Sequence, residues 1–372
     1  MLHIFISFIF FCIIVLIILR HYKRGDYYIR KSDLCVYILL FILFGTFGGG
    51  EGDYLHYKET VEEYNTLQDV LFFTGMEKQY VYLSYLVGGN YNLWRFILFS
   101  VEFIGLGFFL YKAKLNTYPI LLSFTTLCLV TSIYGRASWG NIFYFMGVYL
   151  LIEKKNPLYL IAIALSYVSH TSYLVLIALL PLAFVNIKKQ HLLLFLIFFG
   201  FLVAIFKEQF TNLLNSGGFD YDGAEYINDR LQKYGEGGTK AYFGRSIGET
   251  ITIVLRDFFV LSVMYSILKL MFSNGSGNSY LSIYKPVRSV VNICIGIVLL
   301  STIILMASIG SAPLFYRVFD MSVFFISIIL PCLYQIKLVS KRRFDIYIRW
   351  FIFYSIFGYL RDLYYAYAGG IY

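Results

Sequence analysis

Three arginines lie at the ends of apolar segments, where a positive charge is costly and is usually kept for a function. Arg136 occurs in the stretch TSIYGRASWGN, Arg245 in AYFGRSIGE, and Arg317 shortly after a Ser-Ala-Pro sequence. Guanidinium groups stay protonated and bind phosphate through two parallel, charge-assisted hydrogen bonds. The three arginines therefore predict a site for a multiply charged anion such as a diphosphate group.

Two other arginines have a carboxylate beside them in the sequence. Arg256 precedes Asp257, and Arg361 precedes Asp362. Local ion pairing, or contact of the long side chain with lipid headgroups, explains these two arginines better than ligand binding does. Arg136 has no acidic neighbour, which favours a functional role for it.

One histidine and one aspartate are the candidates for accepting a proton. His170 lies in SYVSHTSYL, at a bend between two short apolar segments, and Asp53 lies near the start of the first acidic stretch of the chain, two residues after Glu51. Imidazole and carboxylate groups are the usual general bases, and the sequence leaves open which of the two acts. Tyr57 and Glu77 lie in the same acidic stretch as Asp53. Tyrosine rings stack on sugar rings, and carboxylates accept hydrogen bonds from sugar hydroxyls. The alternatives are a structural histidine and a solvated acidic loop.

The composition indicates a membrane protein. Of 372 residues, 59% are hydrophobic and 14% are charged, and the mean hydropathy is +0.69. Soluble domains carry roughly 25% charged residues, so this chain has too little polar surface to cover itself in water. We expect an all-α, polytopic integral membrane protein with about 12 transmembrane helices. The expected spans are 2–19, 34–50, 93–111, 118–134, 139–152, 157–168, 171–185, 191–206, 248–269, 289–309, 316–336 and 345–364.

The charges between the spans predict the orientation of the chain. Short basic stretches alternate with acidic or nearly uncharged ones, as the positive-inside rule requires. This alternation puts both termini and two long loops, 51–78 and 207–247, on the outer side of the membrane. The Tyr-rich segment 79–90 is too short for a span and is expected to be interfacial or re-entrant. With no linker and no repeat, residues 1–372 are expected to form a single transmembrane domain.

Several function classes lack support in the sequence. The net charge of +9 is spread over short stretches between apolar segments, and no nucleic-acid-binding motif is present. The chain has no nucleotide-binding loop, no zinc-protease motif, no dinucleotide motif and no closely spaced carboxylate pair that suggests a metal site. Its five cysteines occur singly in or at the ends of apolar segments. We therefore expect no nucleic acid, no metal and no cofactor.

The candidate residues occur in an order that resembles the Wzy-type polysaccharide polymerases, and within them the EpsG-like branch. At one position the chain departs from the family pattern, because Arg136 is followed by alanine where the family commonly has glutamine. The resemblance covers most of the chain and consists of Gly-Asp-Tyr with Tyr57, Glu77 before a Tyr-rich helix, Arg136 before a span ending in Glu-Lys-Lys, Ser-His-Thr-Ser with His170, and Tyr316-Arg317.

The resemblance implies a fold related to the GT-C membrane glycosyltransferases and a location in the bacterial inner membrane. It implies that a glycan chain is transferred from undecaprenyl diphosphate onto another lipid-linked repeat unit at the periplasmic face, without a nucleotide sugar or a metal. Arg136, Arg245 and Arg317 would bind the diphosphate, and His170 or Asp53 would act as the base or orient the acceptor. A chain-length-regulating protein is a candidate partner.

Other functions stay open at this stage. A flippase of lipid-linked oligosaccharide also needs about twelve helices and a basic cavity, but transporters often show inverted repeats and midplane charges. The halves of this chain look unalike, and its candidate residues lie toward the outer ends of the spans. An O-antigen ligase would use the same diphosphate donor with a lipid A–core acceptor. A membrane acyltransferase is less consistent with the arginine and histidine spacing.

Overall fold

The described part of the chain is helical throughout and contains no strand, which agrees with the expected all-α class. The computed structural model describes residues 2–24, 31–47, 54–72, 78–113, 135–151, 156–170, 173–184 and 339–368, with isolated positions at 198, 262, 292, 293, 296, 330 and 334.

Ten α-helices and one short 3-10 helix, Leu180–Phe184, occur within these ranges. The α-helices are α1 (Leu2–Arg24), α2 (Lys31–Phe47), α3 (Tyr54–Glu63), α4 (Leu67–Phe72), α5 (Lys78–Leu86), α6 (Tyr91–Ala113), α7 (Gly135–Tyr149), α8 (Leu158–Ser169), α9 (Tyr173–Leu179) and α10 (Lys341–Ala368).

The expected spans are tested only in part. Helices occur at the expected spans 2–19, 34–50, 93–111, 139–152, 157–168, 171–185 and 345–364, whereas 118–134 and almost all of 191–206, 248–269, 289–309 and 316–336 lie outside the described residues. Within the part of the chain that the structure describes, no helix is both long enough and apolar enough to cross a membrane. The number of spans and the GT-C relationship stay predictions.

The chain divides into two compact units, residues 1–174 with 327–372 and residues 175–326. In the first unit, α6 packs against α2 and α7, and α7 packs extensively against α8. In the second unit, the side-chain amide of Asn292 donates to the Leu182 carbonyl oxygen at 3.2 Å. The candidate residues that can be located all belong to the first unit.

Helices α2 and α6 run antiparallel and approach each other closely. Gly45, near the end of α2, faces the ring of Phe99 near the start of α6, while Phe41 meets Phe103 with ring centroids 5.5 Å apart. A Cβ at Gly45 would lie 2.5 Å from the Phe99 ring, which is closer than real side chains pack. The absent side chain therefore allows an aromatic ring to fill the space between the two helices.

The expected outer loop 51–78 contains two helices, α3 and α4. On α3, Tyr57, Thr60 and Val61 follow helical spacing and are buried, whereas its glutamates are exposed to solvent. Thr66 and Asp69 cap α4 reciprocally, since the Thr66 backbone N–H donates to the Asp69 carboxylate at 3.0 Å and the Asp69 N–H donates to the Thr66 hydroxyl at 3.2 Å. The described part of the acidic segment therefore contains one amphipathic helix, α3, followed by the short helix α4.

A tight turn joins α5 to α6. Gly88 and Gly89 have φ angles of 58° and 75°, in the left-handed region that glycine occupies without strain. Asn90 then caps α6, because its side-chain oxygen accepts a hydrogen bond from the Leu93 N–H at 3.0 Å. The nine residues of α5 are about 13 Å long, which agrees with the expectation that 79–90 is too short to span a bilayer.

Candidate functional site

An aromatic cluster lies where α3, α5, α6 and α7 meet. It consists of Tyr57, Tyr80, Tyr91, Trp94 and Trp139. The Trp94 ring lies 6.4 Å from Tyr57, 6.3 Å from Tyr80 and 5.9 Å from Tyr91, and Trp139 lies 5.6 Å from Tyr80. These centroid distances are those of favourable aromatic pairs, so the cluster holds four helices together.

Both indole N–H groups of the cluster bind backbone carbonyls. Trp94 Nε1 donates to the Tyr80 carbonyl oxygen at 3.0 Å, which ties α6 to α5. Trp139 Nε1 donates to the Leu98 carbonyl oxygen at 2.7 Å, which ties α7 to α6. A buried indole without a partner would be costly, and these bonds fix the positions of both rings.

The helix break expected at His170 is present. Helix α8 ends at Ser169, His170 has an extended backbone with φ −163° and ψ 127°, and α9 begins at Tyr173. The His170 N–H donates to the Ser166 carbonyl oxygen at 3.3 Å, and its own carbonyl oxygen accepts from the Tyr173 N–H at 3.0 Å. The imidazole is half-buried and meets the Tyr173 ring edge-on at 6.5 Å.

Helix α5 provides side-chain donors to the end of α8. The Tyr80 hydroxyl donates to the Ser169 carbonyl oxygen at 3.0 Å, and the Gln79 amide donates to the Val168 carbonyl oxygen. The last carbonyls of a helix have no partner within it, so donors from another element satisfy groups that would otherwise need water. The aromatic cluster is therefore connected directly to the residue before His170.

Arg136 is the second residue of α7, although the sequence places it between two spans. Trp139, in the second turn of α7, ties the start of this helix to α6 through its bond to the Leu98 carbonyl oxygen. One turn after Arg136, Gly140 accommodates the ring of Tyr173, the neighbour of the His170 imidazole. The backbone at Arg136 and the break at His170 thus belong to one packed region.

Tyr57, expected to contact sugar, is 6% exposed and packs its ring against Trp94. In this arrangement the ring stabilises the aromatic cluster. Its proposed contact with a glycan stays a prediction.

The remaining candidate residues cannot be placed. Asp53, Glu77, Arg245 and Arg317 lie outside the described residues, as does the expected outer loop 207–247. Tyr57, His170 and the backbone of Arg136 each lie on elements that pack against or bind the aromatic cluster, and the assembly of all seven candidates into one site stays a prediction. Among the described residues, no group of three His, Cys, Asp or Glu side chains is arranged to hold a metal ion.

Arg95 is a buried charged residue that is not among the residues predicted for the site. It is 5% exposed, and its Nε donates to the Gly45 carbonyl oxygen at 2.9 Å, near the end of α2. Its guanidinium carbon lies 5.7 Å from the Tyr91 ring centroid and 5.6 Å from that of Phe99, one turn away on either side. The cation therefore offsets the negative end of α2 while two aromatic rings cover it.

Glu102 is a second buried charged residue on α6 outside the predicted site. It is 1% exposed and lies two helical turns after Arg95, on the same side of the helix. The sequence alone could have identified Glu102 as a candidate, because an ionisable residue inside an expected membrane span usually has a function. Charged residues with a possible function therefore occur within a helix as well as at the helix ends.

Comparison with known proteins agrees with the resemblance inferred from the ordered motifs. A family model described as the EpsG family matches residues 31–372. No curated protein and no solved structure gives a significant match to the chain. The match extends over α2 to α10 and includes every candidate residue, so the expected family is confirmed. The chain belongs to the EpsG family.

Proposed function

We propose that this chain is an integral-membrane polymerase that transfers a glycan chain from undecaprenyl diphosphate onto another lipid-linked repeat unit at the outer face of the bacterial inner membrane. Membership of the EpsG family indicates a glycosyltransferase-like role in polysaccharide biosynthesis, and the match over residues 31–372 is the observation that carries the proposal. The proposal goes beyond family membership in three respects: the substrate, the membrane location and the independence from metal.

The distribution of polar and apolar side chains on α6 supports the membrane location. Phe96, Ile104 and Phe108 are 42%, 56% and 54% exposed, whereas Arg95 and Glu102 are almost completely buried. In water the usual arrangement is the reverse, with charges outside and large apolar side chains inside. Helices α1 and α8 also expose large apolar side chains, among them Phe5, Leu16, Leu160 and Ile161.

The packing around His170 and α7 supports the assignment of a site. His170 is half-buried at a helix break, where its imidazole is not surrounded on all sides. Arg136 is the second residue of α7, and Gly140 of the same helix packs against the ring of Tyr173, the neighbour of the His170 imidazole. In the proposal Arg136, Arg245 and Arg317 bind the diphosphate, and Tyr57, Asp53 and Glu77 belong to the side of the site that binds the acceptor.

The proposed reaction is a substitution at the anomeric carbon of the donor glycan. An acceptor hydroxyl forms the new carbon–oxygen bond, and the bond to the diphosphate breaks with its electron pair leaving on the diphosphate oxygen. The hydroxyl proton passes to His170 or Asp53. Arginines stabilise the charge that develops on the leaving group, so no metal is required for that step.

The polysaccharide ladder of a deletion strain tests this proposal in cells. A polymerase is required for every band beyond the first, so the strain should retain a single repeat unit on its acceptor and lose all longer products. Complementation with the wild-type chain should restore the ladder. Loss of every repeat, including the first, would contradict a polymerase and would favour a flippase or a ligase.

A further inference from the structure

Two side chains of α5 donate hydrogen bonds to the end of α8, which lies 89 residues later in the sequence. Gln79 donates to the carbonyl of Val168 and Tyr80 donates to the carbonyl of Ser169, directly before His170. These are consecutive carbonyls at a helix end, where intrahelical partners are lacking. The two bonds therefore hold the carbonyls at which α8 stops, directly before the extended residue.

The position of the Tyr80 side chain is fixed by its burial and by contacts with two tryptophans. Its side chain is fully buried, Trp94 binds its carbonyl oxygen at 3.0 Å, and the Trp139 ring lies 5.6 Å away. Ser169 is 3% exposed, so the hydroxyl-to-carbonyl bond is shielded from water. A shielded bond between two packed groups has a narrow range of geometries, and this one fixes the residue before His170 relative to α5.

We propose that Gln79 and Tyr80 are positioning residues for His170, an inference that rests on the proposed function of His170 in glycan transfer. By holding both terminal carbonyls of α8, they orient the extended backbone at His170 and hence the direction of its imidazole. Neither side chain needs to touch substrate. Their contribution is to limit the freedom of a group that must meet an acceptor hydroxyl.

Tyr80→Phe tests this role with little change in packing, because it removes the hydroxyl and keeps the ring. Tyr82→Phe is the matched control, since Tyr82 lies on the same helix and is 43% exposed. The full chain is purified, and its turnover of a lipid-diphosphate-linked repeat unit is measured. Tyr80→Phe should lower kcat by about 2- to 12-fold, the effect of losing one hydrogen bond, with KM unchanged.

Two further readouts separate positioning from general stability. Hydrogen exchange in peptides that contain His170 should rise in Tyr80→Phe and in Gln79→Leu, while exchange in α1 stays at its wild-type rate. In a His170→Gln background that retains measurable activity, Tyr80→Phe should cause no additional loss, because the two residues act as one unit. A loss of equal size in both backgrounds would overturn the proposal.

His170→Ala distinguishes this inference from the proposed function. If His170→Ala is inactive but Tyr80→Phe and Gln79→Leu match Tyr82→Phe in kcat and in exchange, the positioning role is wrong and the polymerase proposal stands. If His170→Ala polymerises at the wild-type rate, the role of His170 is wrong, and the positioning role fails with it.

Discussion

The ring of Tyr173 occupies the space that a side chain at Gly140 would need. A Cβ at Gly140 would approach three ring carbons of Tyr173 more closely than real side chains pack, and the ring is fully buried. Gly140→Ala should therefore displace the ring beside His170, lower stability by about 1–3 kcal/mol and reduce polymer length. Thermal unfolding and the polysaccharide ladder measure the two effects.

Gly105→Ala is the control for this substitution. A Cβ at Gly105 would lie 3.4 Å from the nearest side-chain atom of Ile142, which is an ordinary contact. Alanine also favours a helix over glycine by up to about 1 kcal/mol, so this variant should be as stable as the wild type or more so. Equal effects of the two alanines would show that the Tyr173 contact has no special importance.

Arg136→Ala and Arg317→Ala should each abolish polymer while the protein remains at its normal level in the membrane. The reason is that a diphosphate leaving group loses a charge-assisted, bidentate partner. Arg136→Lys should recover only part of the activity, since an ammonium group lacks the planar fork. Arg342→Ala, at an exposed position in the first turn of α10, is the matched control. Wild-type chain lengths in both alanine variants would refute the arginine assignment.

Arg95→Met should destabilise the protein without a direct effect on chemistry. The substitution keeps an unbranched side chain but removes the donor to the Gly45 carbonyl, and a buried hydrogen bond to a charged group contributes about 1.5–3 kcal/mol. Thermal unfolding in detergent should show the loss. Arg349→Met is the control, because it removes an exposed hydrogen bond to the Tyr22 hydroxyl and should leave the midpoint of thermal unfolding unchanged. A stable Arg95→Met variant would argue against this structural role.

Comparison of Asp53→Asn with His170→Gln identifies the group that accepts the proton. Each substitution keeps approximate size and hydrogen bonding but weakens proton transfer. The variant that lacks the base should lose about 10²- to 10⁴-fold in kcat with donor KM retained. The other variant should change KM or have a small effect. Wild-type turnover in both would exclude both residues as the base.

The sequence was sufficient to predict the helix break but not what holds it in place. Basic pairs at 154–155 and 188–189 require an even number of crossings between them, and two short helices with His170 at the bend satisfy that requirement. The bonds from Gln79 and Tyr80 join segments far apart in sequence. Such pairings depend on tertiary packing, which local periodicity does not reveal.

Two other features depend on side chains that face neighbouring helices. Residues 51–78 are predicted to form an outer loop, and within it the helical spacing of Tyr57, Thr60 and Val61 buries one face of α3. Arg95 and Glu102 lie inside the span predicted at 93–111, and the rule that points to Arg136 applies equally to them. In each case the side chains facing neighbouring helices, rather than average composition, determined the structure.

Reconstitution of the purified chain tests the central claim most directly. The protein is placed in vesicles with a lipid-diphosphate-linked repeat unit, a metal chelator and no nucleotide sugar, and the products are separated by length. The account predicts dimers and longer glycans, with one undecaprenyl diphosphate released for each new linkage, and none of these products with Arg136→Ala. Transfer of intact lipid-linked units across the bilayer without any elongation would contradict it.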